Sequence, residues 1–211
     1  MKRVFSIVGA LMLLTAAGSA HATALLDLDD MLALSDSTQL GRLSRSGIPS
    51  DWSVAKAFPG VLNTSTSYHY KTYLVDPGIA NFIQIDIFEN NNTANMFVSA
   101  YDTAYLPNSA GSPNFGFNTN YLGDAGFSGN PLPNDPNFFQ VLVPLGHKLL
   151  VVVNDTVSAN GGIGTPFHLT VEGFIDSEFT DPPVAAVPEP ATMLLTASGL
   201  AFVVRRRRRR T

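Results

Sequence analysis

The sequence predicts an all-β protein whose body is an antiparallel β-sandwich of jelly-roll or immunoglobulin-like kind. Three observations carry that prediction. Several short runs alternate apolar and polar residues with period two, the mark of a strand with one face in a core. Clusters of Gly, Pro, Asn and Asp separate the runs, supplying fixed φ at Pro, positive φ at Gly or Asn, and side-chain-to-backbone bonding at Asn and Asp. No long amphipathic helical pattern follows Thr66, and about six to eight short strands over roughly 115 residues fit a two-sheet architecture.

Composition sets the frame for these elements. A chain of 211 residues has room for one sizeable domain plus targeting segments, since domains run to about 100–200 residues. With 45% hydrophobic and 14% charged residues, it can bury enough apolar surface to fold. The absence of cysteine excludes disulfides, zinc–thiolate sites and thiol chemistry. The overall net charge of −4 hides an uneven distribution. Residues 24–187 hold only five cations (Arg42, Arg45, Lys56, Lys71 and Lys148) against 16 acidic residues, a net charge of −11. So acidic a body repels nucleic acid and favours divalent cations or basic partners.

Residues 1–22 read as a secretory signal peptide. Lys2 and Arg3 precede an apolar stretch from Val4 to Ala17, and Ala20-His21-Ala22 forms an A-x-A site for signal peptidase. The stretch is too short to span a membrane comfortably. Residues 23–40 form an N-terminal segment whose pattern is ambiguous: Leu25, Leu28, Met31 and Leu32 fit a helical face, whereas Asp27 and Asp29 alternate as in a strand.

The sandwich domain is expected over residues 41–175. In NFIQIDIFE, Ile83, Ile85 and Ile87 point one way while Gln84 and Asp86 point the other; PFHLTVEGF repeats the pattern with Phe167, Leu169 and Val171 against His168, Thr170 and Glu172. KLLVVVN is apolar on both faces, as a central strand requires. TSYHYKTYLV, ANMFVSAY and NFFQVLVP add aromatic and β-branched segments of similar length. Residues 176–187, with Pro182 and Pro183, read as a flexible linker.

The segment 188–211 has three parts: Pro188-Glu189-Pro190, a mainly apolar run from Ala191 to Val204, and Arg205, Arg206, Arg207, Arg208, Arg209 and Arg210. As a helix the run rises about 21 Å at ~1.5 Å per residue, short of the ~30 Å hydrocarbon core, so it suits a transient membrane tether better than a permanent anchor. Pro190 is placed at a helix start and Glu189 at the positive end of its dipole. The arginines orient the segment with its basic end in the cytoplasm and the body outside. Following an apolar run in an exported chain, they do not read as a nucleic-acid-binding tail.

VPEPA, the apolar run and the arginine block, in that order, resemble the PEP-CTERM sorting signal of bacteria that export exopolysaccharide, although the apolar run is rather short. The resemblance implies an exosortase, a membrane-embedded cysteine transpeptidase, as partner, with Pro188, Glu189 and Pro190 as the recognised motif. The logic parallels a GPI tail, in which a marginal hydrophobic segment holds the substrate until processing. In the body, GRLSRSGIPSDWSVAKAFPG, YHYKTY, FVSAY, NYLGDAG, VLVPLGHKLLVVVND and FHLTVEGF resemble β-sandwich modules of bacterial surface proteins, akin to pre-peptidase C-terminal domains, over Gly41 to Phe174. That resemblance implies a non-catalytic accessory module. The disulfide bracing of some such modules does not carry over.

Candidate chemistry is sparse. After removal of His21, three histidines remain, His69, His147 and His168, none in an HExxH motif, and no GxSxG, P-loop or dinucleotide-binding motif is present. Asp27, Asp29 and Asp30 form the densest carboxylate cluster and offer hard oxygen ligands for Ca²⁺; they lack the glycine and distal glutamate of an EF-hand, and an acidic solvated helix face is the reading favoured over a calcium site. Asp86, Glu89 and Asp155 are similar loop-edge candidates. Trp52, Tyr68, Tyr70, Tyr73, Tyr101, Tyr105 and Tyr121 could form a carbohydrate platform or serve as buried strand aromatics.

The expected function is that of an exported, non-catalytic structural or adhesive protein at the cell surface or in the extracellular matrix, sorted by an exosortase and associated with exopolysaccharide. No cofactor is expected, Ca²⁺ being the one candidate. A secreted matrix-polymer hydrolase and a Ca²⁺-dependent carbohydrate-binding module are the alternatives.

Overall fold

A computed structural model describes residues 22–89, 95–109, 113–128, 138–158 and 160–175. The chain divides into two compact units, Met1–Asp176 and Ser177–Thr211, and the described residues all belong to the first. They form nine antiparallel strands: β1 (Thr23–Met31), β2 (Ser37–Leu43), β3 (Val61–Val75), β4 (Phe82–Glu89), β5 (Met96–Asp102), β6 (Tyr121–Asp124), β7 (Phe138–Leu142), β8 (Leu149–Asp155) and β9 (Pro166–Phe174). One sheet has the order β1-β9-β4-β7 and the other β2-β3-β8-β5-β6. The first strand neighbours the last, and early strands interleave with late ones. Of the two predicted sandwich types, this is the jelly-roll order, with β2 added as an extra strand beside β3.

The expected alternation is realised. Ile83, Ile85 and Ile87 of β4 and Phe167, Leu169 and Val171 of β9 are buried between the sheets with Val98, Ala100, Phe139, Val151 and Val153. β8, apolar on both faces in sequence, is the central strand of the five-stranded sheet. Its second face lies under a smaller cluster, in which Leu43, Phe97 and Phe117 pack with Phe58, Val61, Tyr105 and Tyr121. That sheet is therefore covered on both sides.

Residues 23–40, set apart in the sequence reading, are built into the sandwich. β1 resolves the helix-or-strand ambiguity by pairing with β9, Leu28 opposite Leu169 and Asp29 opposite His168. Its partner is about as distant in sequence as the domain allows, so the pairing reflects tertiary structure overriding a weak local pattern.

Exposed strand edges invite unwanted pairing, and three of the four here are occupied. The Asn108 side chain acts as a short strand beside β2, accepting from the Leu40 amide (2.6 Å) and donating to the Thr38 carbonyl (3.1 Å). The connection between β2 and β3 covers the edges of both sheets at once. Ser50 donates its amide to the Asp124 carbonyl of β6 (3.0 Å), and its own carbonyl accepts the Gln140 amide of β7 (2.8 Å). Trp52 in the same connection donates to the Ile83 carbonyl (3.1 Å) and packs edge-on against Phe82 and Phe174.

A buried polar knot anchors this connection. The Asp124 carboxylate is fully buried and lies 2.5 Å from Lys56 Nζ. It also accepts the Gly126 amide (2.7 Å) and the Tyr121 hydroxyl. Lys56 donates further to the Ile48 carbonyl. Gly126 has φ +77°, and a Cβ there would sit 2.5 Å from the Ile48 carbonyl, so only glycine lets the connection approach this closely.

Removing one member of a buried pair strands the other charge, which costs about 3–5 kcal/mol. Lys56→Met is therefore expected to lower stability by that order in urea denaturation, whereas Lys148→Met, at an exposed position, changes it by about 0.5 kcal/mol or less. Equal effects of the two substitutions would contradict this assignment.

Candidate functional site

Strand geometry divides the carboxylate cluster of the N-terminal segment. Successive side chains on β1 point to opposite faces, so Asp27 and Asp29, opposite Thr170 and His168, stand on the solvent side, while Asp30, opposite Phe167, turns inward. On the solvent side His168 is bracketed, with Nδ1 2.9 Å from Asp29 Oδ1 and Nε2 3.4 Å from Asp27 Oδ1. On the inner side Asp30 accepts from Lys71 Nζ and Tyr73 Oη, each at 2.8 Å. Lys71 also donates to the Met31 carbonyl (2.8 Å) and lies 3.8 Å from Asp36, tying β1 to the turn that leads to the other sheet.

The three acids proposed as Ca²⁺ ligands thus face two sides of a sheet and do not converge. Among the described residues, no group of three or more His, Asp or Glu side chains is arranged to hold a metal ion. Burial raises the Asp30 carboxyl, but the Lys71 hydrogen bond, with those from Met31 and Tyr73, outweighs it and holds the group below the usual range.

The loop-edge acids also serve the fold. Glu89 is buried and accepts the amides of Met96 (2.6 Å) and Asn95 (3.1 Å), joining the end of β4 to the start of β5. Asp155 accepts the Val157 amide (2.8 Å) at the end of β8, and burial pushes its carboxyl upward despite that bond. Asp86 lies on the outer face of its sheet, opposite Thr170. Burial raises its carboxyl too, against the Ile87 amide and His168, with Glu172 adding to the rise.

The three histidines are not brought together. His69 on β3 lies 3.2 Å from the Asp36 carbonyl, and His168 belongs to β9. His147, in the turn before β8, has Nδ1 2.8 and 2.9 Å from the two Asp102 oxygens, one of which also accepts the Thr103 hydroxyl (2.8 Å). Both histidine–carboxylate pairs stand on open surface.

The aromatic residues resolve in favour of packing. Trp52, Tyr68 and Tyr101 are buried. Tyr105 forms a ring cluster with Tyr70, Tyr101 and Phe117 at centroid separations of 5.3, 4.6 and 5.8 Å. Its hydroxyl donates to Gln39 (2.6 Å). The Tyr121 phenol, raised by burial and then by the Asp124 charge, stays a donor to that carboxylate. Sequence spacing gives no sign of this last constellation, because Lys56 and Asp124 are 68 residues apart.

Pro188, Glu189, Pro190 and the arginines Arg205 to Arg210 lie outside the described residues, as do residues 1–21 of the proposed signal peptide, the linker and the proposed C-terminal helix. Among the described residues no helix is long and apolar enough to cross a membrane. Residues 186–209 match the PEP-CTERM protein-sorting motif, which implies an exported, membrane-associated precursor processed by an exosortase. No characterised protein and no solved structure is significantly similar to the chain.

The opposite shifts of Asp30 and Asp86 predict opposite pH dependences. Asp30, depressed in the fold, contributes stability that is full above its unfolded pKa of ~3.9 and is lost as pH falls through the folded value. Asp86, raised in the fold, contributes stability only below that unfolded value and loses it as pH rises. Thermal melts should therefore show Asp30→Asn lowering the Tm at pH 7 and Asp86→Asn raising it, both differences shrinking by pH 3. The same sign for both at pH 7 would contradict the assigned environments.

Proposed function

We propose that this protein is a non-catalytic surface or matrix component, carried out of the cytoplasm by its N-terminal signal, tethered by its C-terminal segment, and released by an exosortase to act with exopolysaccharide. The observation that carries the reading is the match of residues 186–209 to the PEP-CTERM sorting motif. The lysine and arginine pattern at the two ends supports it, since both segments place the body on the same side of the membrane.

The non-catalytic role is supported by how the body uses its acids. Asp30, Glu89, Asp124 and Asp155, the inward-facing carboxylates, are occupied by an ammonium group, hydroxyls or backbone amides that build the fold. General acid–base work calls for carboxyls or histidines that converge on a reacting atom within hydrogen-bond reach. An acidic, disulfide-free sandwich delivered to the outside is compatible with a structural or adhesive role.

Replacing Pro188, Glu189 and Pro190 together by alanine in the native host tests the sorting step. The variant should accumulate in the membrane fraction while the wild-type chain reaches the surface or medium; identical distributions would overturn the reading. Incubated with host exopolysaccharide, the purified protein should co-sediment with the polymer and release no reducing ends, and polymer shortening would refute the non-catalytic role.

A further inference from the structure

Strand register places one set of chain features at a single pole of the sandwich. Thr23 lies opposite Gly173, and Phe82 lies opposite both Phe174 and Leu142. The start of β1, the start of β4 and the ends of β7 and β9 therefore share that pole. The end of β3, which runs into the turn before β4, and the start of β8 are there too, Val75 lying opposite Leu149. The chain begins the sandwich at this pole and leaves it there, after Phe174, toward the linker and the sorting motif.

Two tight turns form the tip of the pole, closed by Ala80 N–H donating to the Pro77 carbonyl and His147 N–H donating to the Pro144 carbonyl, each at 3.0 Å. A bond from the Val143 amide to the Asn81 carbonyl (2.9 Å) holds the two turns side by side. The centres of such turns normally carry Gly, Asn, Asp or Ser. Here each centre pairs a positive-φ glycine, Gly78 or Gly146, with a large apolar residue, Ile79 (77% exposed) or Leu145 (69% exposed), and the first residue beyond β9, Ile175, is 66% exposed. Leu74 and Leu142 extend the apolar surface from the adjoining strand ends. Among the described residues the charged groups here are few, Asp76 and Asp102 against Lys148, with His147 Nδ1 2.8 Å from an Asp102 oxygen. The sandwich carries a net charge of −8 over residues 23–175, and the described part of this pole is mainly apolar; Asp176, Glu178 and Asp181 follow it in the linker.

We propose that this pole is a membrane-resting surface, whose occupant is the phospholipid interface of the membrane that holds the tethered precursor. The proposal rests on the sorting reading, which supplies the tether. Residues 176–187 span at most about 40 Å when fully extended, at ~3.3–3.6 Å per residue. They leave the body from the apolar pole itself, so a short tether brings Ile79, Leu145 and Ile175 to the bilayer first. Apolar side chains on tight turns enter the interfacial region and leave water. Contact by this pole also directs the acidic remainder of the sandwich away from the membrane. Release by processing would remove the tether and leave the pole free for the matrix.

The absence of native cysteine permits a clean test in the full chain. Ile79→Cys, Leu145→Cys and, at the opposite pole, Leu34→Cys are each labelled with an environment-sensitive fluorophore, and the proteins are reconstituted into phosphatidylethanolamine–phosphatidylglycerol vesicles. Flotation first reports whether the C-terminal segment holds the chain to the bilayer; failure to float counts against the tether itself and, with it, the proposal. In floated protein, probes at positions 79 and 145 should show a blue-shifted emission quenched by spin-labelled lipid, while the probe at 34 stays aqueous. Floated protein in which all three probes remain aqueous, or in which 34 responds like 79 and 145, overturns the membrane-resting surface and leaves the tether standing. Removing the label's influence, Ile79→Ser combined with Leu145→Ser should abolish the shift of a probe placed at Ile175→Cys; an unchanged shift would also overturn it.

Discussion

The contact between the Asp124 carboxylate and the Lys56 ammonium is the point on which the two sheets are joined along one side. A carboxylate taken fully out of water costs several kcal/mol, which only excellent geometry and added hydrogen bonds offset. Asp124 receives both, from Lys56, the Gly126 amide and the Tyr121 hydroxyl. Lys56 belongs to the connection that seats Ser50 between β6 and β7 and Trp52 over Phe82 and Phe174. One buried ion pair thereby fixes the cover over two strand edges that would otherwise be open to pairing with other chains.

The other organising constraint is topological. In the jelly-roll order the first strand can pair only after the last has been made, so β1 and β9 close the chain on itself. Contacts of such long range are slow to form, and a chain without disulfides relies on the inter-sheet core and on ties such as Lys71–Asp30 to hold β1 in place. The same closure brings the start of β1 and the end of β9 to one pole.

Much of the sandwich was legible because burial on one face writes a period of two into a strand. β4 and β9 state that period plainly, and β8, apolar throughout, announced a strand covered on both faces. The cover itself was not legible: Phe117 and Tyr105 reach the outer face of the five-stranded sheet from a loop, and nothing local distinguishes a tyrosine under such a loop from one on an open platform. β1 was ambiguous for a related reason, since an edge strand has one partner and its pattern is diluted by residues such as Asp30 that turn inward to meet a distant lysine. The Lys56–Asp124 pair was invisible because its members are far apart in sequence and each looks like an ordinary surface charge. The sorting segment was legible for the opposite reason. Its recognition depends on a short motif, an apolar length and a run of arginines, all of which are local.

Export followed by removal of both ends is most directly tested by the intact mass of the mature protein isolated from its native host, in strains with and without the candidate exosortase. With the enzyme present, the mass should correspond to a chain that starts at Thr23 and lacks the block from Arg205 to Arg210; without it, the arginine block should be retained. A mature protein that keeps those six arginines in both strains would contradict the sorting account.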